Sequence, residues 1–364
     1  MNTKTTPALA FKSDWEQARQ AHQAWWAHKG LALSIRAPRD PATIGPLPPL
    51  PPPADLRTRW LDPTQRALKS IREQAATFHG GAAFPIFRTD IGPGSLGLFL
   101  GGEGELAETT VWYPPVIHDP ESHPPLVFDP TCEWFKIHRA LLQHAIDANH
   151  GRYLVGYPDL IENLDVLAQL RGPEETLADL IDRPAWCEAK IREINPAFFQ
   201  CYDALYGLLK DAWGGTAFCA FDLWGPGKTA KVQCDFCCMI SPEMFRQFVT
   251  PCLTEQCEWL DNAMYHLDGT NALQQLPNLL AIEALDAIEW TPQAGLPGGG
   301  SPQWYELYRT IKRAGKSVQA IGVQPDEVLP LLDAVGPEGM YIISHAPTEA
   351  AARELLKKAG WPAA

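Results

Sequence analysis

The chain has no run approaching the roughly 20 apolar residues of a membrane-spanning helix, and Met1 to Asp14 lacks the basic-then-apolar order of a secretion signal. Both absences argue for a cytoplasmic protein. Positive charge is scarce as well. Thirty Lys and Arg against 43 Asp and Glu leave a net charge of −13, which repels phosphate backbones and anionic lipid and argues against nucleic acid or a membrane surface as partner. A disulfide framework is missing: the nine cysteines are odd in number, lie mostly in apolar segments and show no regular spacing, so they read as reduced thiols. No glycine-rich dinucleotide fingerprint follows the first strand-like segment. Gly298 to Gly300 follow a proline rather than a strand, and read as a flexible loop.

What is present is an ordinary globular balance, 46% apolar and 20% charged, enough to bury a large core. The 34 prolines and 13 tryptophans are the unusual entries, pointing to long rigid loops and an aromatic-rich cleft. Trp15, Ala18, His22, Trp25 and Trp26 recur at helical spacing between Ser13 and His28. A short strand, Leu31 to Arg36, follows, and then IGPLPPLPPP (Ile44 to Pro53), a stiff polyproline-like arm. From residue 56 helices alternate with short apolar runs ended by polar residues. These runs are Ala83 to Phe87, Tyr153 to Tyr157, Ala217 to Phe221, Ala263 to Leu267, Ala287 to Trp290, Ser317 to Ile321 and Met340 to Ile343. Counting Leu31 to Arg36, or Leu96 to Leu100, as the extra strand makes about eight βα repeats. The predicted fold is therefore α/β: a (β/α)8 TIM barrel over residues 56–364, preceded by an N-terminal extension, 1–55, of helix, strand and arm.

Reacting groups in such a barrel sit where the strands end. The polar residues predicted there are Asp90, Asp159, Asp222, His266, Asp268, Trp290, Gln319 and His345. Carboxylates sharing one mouth repel unless protonated, paired or gathered round a cation. His266 and Asp268, two apart on one strand, point the same way and can reach one ion, with His345 as a third ligand. The bland alternative is a hydrogen-bonded His266 whose tautomer Asp268 fixes without metal. Within CDFCC, the C-x-x-C pair of Cys234 and Cys237 has no second pair and reads as strand packing. Asp235 in the same stretch is the better candidate for contacting substrate.

Several stretches carry a family resemblance: TDIGPGSLG (Thr89 to Gly97), GYPDLIENLDVLAQLRGPEETLADLIDRP (Gly156 to Pro184), CDFCCMISPEMFRQFVTP (Cys234 to Pro251) and YHLDGTNALQQLPNLLAIEALDAIEW (Tyr265 to Trp290). From about residue 80 onward the chain resembles the uroporphyrinogen decarboxylase superfamily, in particular its corrinoid and thiol methyltransferase relatives. The resemblance implies a (β/α)8 barrel with a deep mouth. Asp90 matches the pyrrole-binding aspartate of the decarboxylases, but the arginine loop that grips propionates is reduced to Arg36 and Arg39. His266-x-Asp268 aligns with the zinc-binding His-x-Cys of the methyltransferases, and His345 lies where their later cysteine is expected. Carboxylate and imidazole in place of two thiolates make a harder, more Lewis-acidic site. No D-x-H-x-x-G corrinoid signature occurs, so any corrinoid arrives on a separate protein.

The leading expectation is a methyltransferase-like barrel enzyme acting on a small methylated substrate. Zinc or another divalent metal sits at His266, Asp268 and His345. Asp90, Asp159 and His266 are the reacting residues, and Glu162, Asn163, Asp222, Asp235 and Trp290 bind substrate. Its expected partners are the small-molecule substrate, a corrinoid protein and a second copy of the chain in a homodimer. The alternatives are a carboxy-lyase of the decarboxylase type, which needs a basic pocket, and a barrel that binds a small molecule without catalysis.

Overall fold

The computed structural model describes residues 9–362. Its strands, in chain order, are β1 (Leu31–Pro38), β2 (Thr77–Gly81), β3 (Ile86–Phe87), β4 (Glu105–Leu106), β5 (Val111–Trp112), β6 (Leu154–Tyr157), β7 (Gly215–Phe218), β8 (Trp224–Pro226), β9 (Thr229–Gln233), β10 (Asn262–Asp268), β11 (Ala287–Thr291), β12 (Ser317–Val323) and β13 (Met340–His345). Fourteen α-helices accompany them among the described residues. The fold is mixed α/β with a mostly parallel central sheet. Seven strands run β2-β1-β13-β12-β11-β10-β9, and a second sheet runs β3-β6-β7-β8. Only β2 and β8 are antiparallel to their neighbours in these sheets. Strand hydrogen bonds do not join the two sheets into one ring among the described residues.

The parallel strands are apolar on their outward face because helices cover that face. Helices Pro242–Phe248 and Thr250–Trp259 separate β9 from β10, and helix Tyr305–Arg313 separates β11 from β12. The segment before residue 56 is not set apart. β1 lies between β2 and β13 in the large sheet, and helix Trp15–Trp26 joins the same core. Its Trp25 and Trp26 indoles donate to the carbonyls of Val318 (3.1 Å) and Trp224 (2.9 Å), and Trp15 meets Trp224 edge-on at 5.5 Å. The Trp25 and Trp26 donors are thereby satisfied, whereas Trp15 Nε1 has no partner among the described residues.

Two expectations are corrected. Leu96 to Leu100 is no strand: Ser95–Phe99 is a short helix, started by Gly94 in the left-handed region (φ 98°) and anchored by the Ser95 and Leu96 amides on the carbonyls of Asp159 and Leu160. CDFCC is no strand either. Asp235–Met239 is a 3-10 turn that buries Cys237 and exposes Cys238, and all nine cysteines are free thiols. No helix among the described residues is long and apolar enough to cross a membrane.

Candidate metal centre

Across the large sheet, strand register sets Gln233 beside His266, His266 beside Glu289, Glu289 beside Gln319 and Gln319 beside Tyr341. Side chains alternate along a strand, so laterally paired residues share a face. A polar layer thus runs through strands whose outward positions are apolar. His266 stands second in this row, between Gln233 and Glu289. Its Nδ1 bonds the fully buried Glu289 carboxylate, whose other oxygen accepts from the Thr291 hydroxyl at 2.8 Å. Burial, the largest single influence, opposes protonation of His266, but the charge of Glu289 and its hydrogen bond to the ring are the main influences that turn the net shift upward. Phe221 packs on the imidazole with ring centroids 4.8 Å apart.

One ligand atom from each of Asp235, His266 and Asp268 lies within 4.8 Å of the others. With Nδ1 engaged by Glu289, Nε2 is the ring nitrogen left for an ion, and a carboxylate behind a ligating histidine is the usual support in metal sites. Two carboxylates and an imidazole suit a hard or borderline divalent cation. Asp235 is held by a chain of bonds. Gln233 Nε2 donates to it at 3.0 Å and to Asp165 at 3.1 Å, and Asp165 also accepts the amides of Asp235 (2.8 Å) and Phe236 (2.9 Å). Burial and the nearby Asp165 charge push the Asp235 carboxyl up to about 6.

Beside this cluster lies a second network. The Lys231 ammonium pairs with Asp159 at 2.7 Å and also donates to Gln233 Oε1, while the Gln233 amide donates to Glu162. Lys231 is completely buried; desolvation lowers its pKa, but Asp159 and Glu162 raise it by more. Desolvation raises the Glu162 carboxyl to about 8 against the opposing pull of Lys231, so it holds its proton at neutral pH. Its Oε2 is buried without a partner among the described residues. Ile161 and Asn163, on either side, both have left-handed backbones (φ 48° and 51°). Such conformations are costly for side chains with a Cβ and mark a segment held by its surroundings.

The remaining predicted residues lie elsewhere. Asn163 is buried and donates to Gln256 at 2.8 Å. Asp222 pairs with Arg36 at 2.6 Å and accepts from Ser34. Trp290 is fully buried against Trp304, on the face of β11 opposite Glu289. His345 is exposed at the end of β13, beside Arg36 in register, and is not in the ligand group; the third member of that group is Asp235. Asp90 belongs to a separate groove with Arg36, Arg66 and Arg88. Glu289, Lys231, Gln233 and Asp165 escaped the sequence reading. The available signal was a charged or amide side chain inside an otherwise apolar strand.

A cavity of about 410 Å³ opens next to Asp235, lined also by Trp112, Tyr113, Phe236, Met239 and Gln233. Its volume suits a small molecule, and among the described residues no Lys, Arg or His lines it. Compared with known proteins, the chain matches no family model and no curated protein.

Proposed function

We propose that the chain is a (β/α)8-barrel enzyme that holds zinc or another divalent metal at Asp235, His266 and Asp268 and transfers a methyl group from a small methylated substrate. The observation that carries this reading is the convergence of two carboxylates and one imidazole, with Glu289 behind the imidazole. The barrel is supported by chain order. Counting β7, β8 and β9 as one unit, the parallel strands make eight strand-then-helix steps, ending with helix Glu349–Lys358. The methyl-transfer part rests on the resemblance of Tyr265 to Trp290 to corrinoid and thiol methyltransferases.

When bound, the ion supplies Lewis acidity at a substrate oxygen or nitrogen. Glu289 keeps the Nδ1 proton of His266 in place, and Gln233 orients Asp235. The cavity beside Asp235, with Trp112, Tyr113 and Phe236 in its lining, receives the substrate. Glu162 holds a proton within the adjoining network. The acceptor is a corrinoid on a separate protein.

Elemental analysis of freshly purified protein tests the metal: about one equivalent is expected, lost in His266→Ala and Asp268→Asn. Less than about a tenth of an equivalent in the wild type removes the proposed ligand set. Methyl transfer is tested separately, by mixing the loaded enzyme with reduced cobalamin and a panel of methyl ethers, amines and thioethers. No methylcobalamin absorbance with any of them ends that part of the reading.

A further inference from the structure

Residues 219–223 join β7 to β8, yet they reach out of the small sheet and bond to the large one. At the tip, Phe221 and Asp222 both have left-handed backbones, with φ 57° and 49°. Two successive residues with a Cβ in that region are costly, and they persist where the surroundings hold them. The holding groups come from three strands of the large sheet. Gln319 Nε2 on β12 donates to the Phe221 carbonyl at 2.8 Å, and the Tyr341 hydroxyl on β13 donates to the Asp222 carbonyl at 2.7 Å. From β1, the Ser34 hydroxyl donates to the Asp222 carboxylate at 3.1 Å, and Arg36 pairs with it at 2.6 Å. Ser34, Gln319 and Tyr341 are fully buried, so a turn that moved away would leave their donors unpaired at a cost.

The turn presents an aromatic ring. Phe221 lies between Phe218, stacked with centroids 6.3 Å apart and planes at 10°, and the His266 imidazole, 4.8 Å away and tilted by 40°. Glu289 holds His266 at Nδ1. One hydrogen bond fixes one atom of a ring and leaves the ring free to pivot about it. A second ring against its face removes that pivot, because tilting would drive the two close-packed rings into each other. Gln319 and Tyr341 continue the same polar row that sets Glu289 beside His266. Glu289 thus holds the edge of the imidazole, while Gln319 and Tyr341 hold its face through the turn.

We propose that Phe221 is a positioning residue of the metal centre, pressed onto His266 by a turn that Gln319 and Tyr341 lock, so that the imidazole keeps the orientation in which Nε2 joins Asp235 and Asp268 on one ion. This role rests on the metal reading above, and it belongs to residues outside the ligand set. The Phe221 ring carries no charge and no polar donor, so its loss acts on the geometry of the site. The visible absorption bands of bound Co(II) read that geometry. The test titrates Co(II) into the full chain, stripped of metal by chelation and then desalted. Wild-type protein is expected to bind about one equivalent. Phe221→Ala is expected to bind it about tenfold more weakly and to shift the bands, and Phe221→Tyr, which keeps the ring, restores both. A purely structural role would lower stability towards urea and leave the bands of the bound ion unmoved. Tyr341→Phe keeps every ring and loses only the hydroxyl that anchors the turn; it shifts the bands in the same direction, and it decides the question if Phe221→Ala does not fold. Unmoved bands and affinity in these two variants overturn the proposal, as does a shift that Phe221→Tyr fails to reverse. Wild-type protein that takes up no Co(II) removes the metal reading and the role of Phe221 with it, whereas uptake that ignores the variants removes the role of Phe221 alone.

Discussion

At the residue scale, two buried carboxyl groups have opposite tasks. Glu289 is a carboxylate behind His266, and its removal is felt through the imidazole. Glu289→Gln keeps the shape but loses the charge that raises His266, so metal affinity is expected to fall about 10- to 100-fold. Competition with a chelating dye reads this directly; an unchanged dissociation constant separates Glu289 from the centre. Glu162 is the protonated partner. Its folded-state pKa of about 8 stands above the ordinary 4.5, so the folded chain binds the extra proton and stability falls as pH rises through that window. The slope contributed is at most about 1.4 kcal/mol per pH unit. Glu162→Gln should abolish that slope between pH 5 and pH 8. Urea unfolding of both proteins across this range checks it, and parallel pH profiles contradict it.

At the element scale, capping chemistry decides where helices begin and proline where they break. Ser241 accepts from the Met244 amide at 3.2 Å and Pro242 fills the first turn. The sequence reads as one helix from Ser241 to Leu260, but the helix is interrupted at Val249. Pro251 lacks an amide proton and its ring crowds the carbonyl four residues earlier. Ser241→Ala is expected to destabilise the fold by about 1 kcal/mol in chemical denaturation; no change would mean that the cap is redundant with the proline. The alternation of apolar strands with helices was legible because each strand's outward face is greasy. β9 was missed for the complementary reason: in TAKVQ the inward residues Lys231 and Gln233 are the polar network itself. His266 and Asp268 could be read from their spacing of two. Their partners could not, since Glu289 meets His266 only through register and Asp235 arrives from a turn. His345 was a plausible ligand by strand-end position, yet β13 is three strands from β10, roughly 14 Å along the sheet.

At the scale of the whole molecule, buried histidines set the acid limit of stability. His22 and His138 are completely buried, and desolvation lowers them from 6.5 to about 4 and about 3; His79 moves the same way. The folded chain refuses protons that the unfolded chain accepts below pH 6.5, so stability is lost as pH falls from 6.5 towards those lowered values. Glu162 acts with the opposite sign, weakening the fold up to about pH 8. The three histidines remove stability as pH falls below 6.5, whereas Glu162 and the raised His266 remove it as pH rises above 6.5. His138 offers the cleanest test. Among the described residues neither ring nitrogen makes a well-aligned hydrogen bond, the Thr89 backbone nearby only partly offsets the desolvation, and the ring meets Phe99 edge-on at 5.4 Å, so an apolar ring can replace it. His138→Phe should flatten the loss between pH 6.5 and pH 5 by up to about 1.4 kcal/mol per pH unit while changing little at pH 7. Urea unfolding at pH 5 and pH 7 reads both values. An acid limb as steep in the variant as in the wild type would mean that His138 takes up its proton in the folded state.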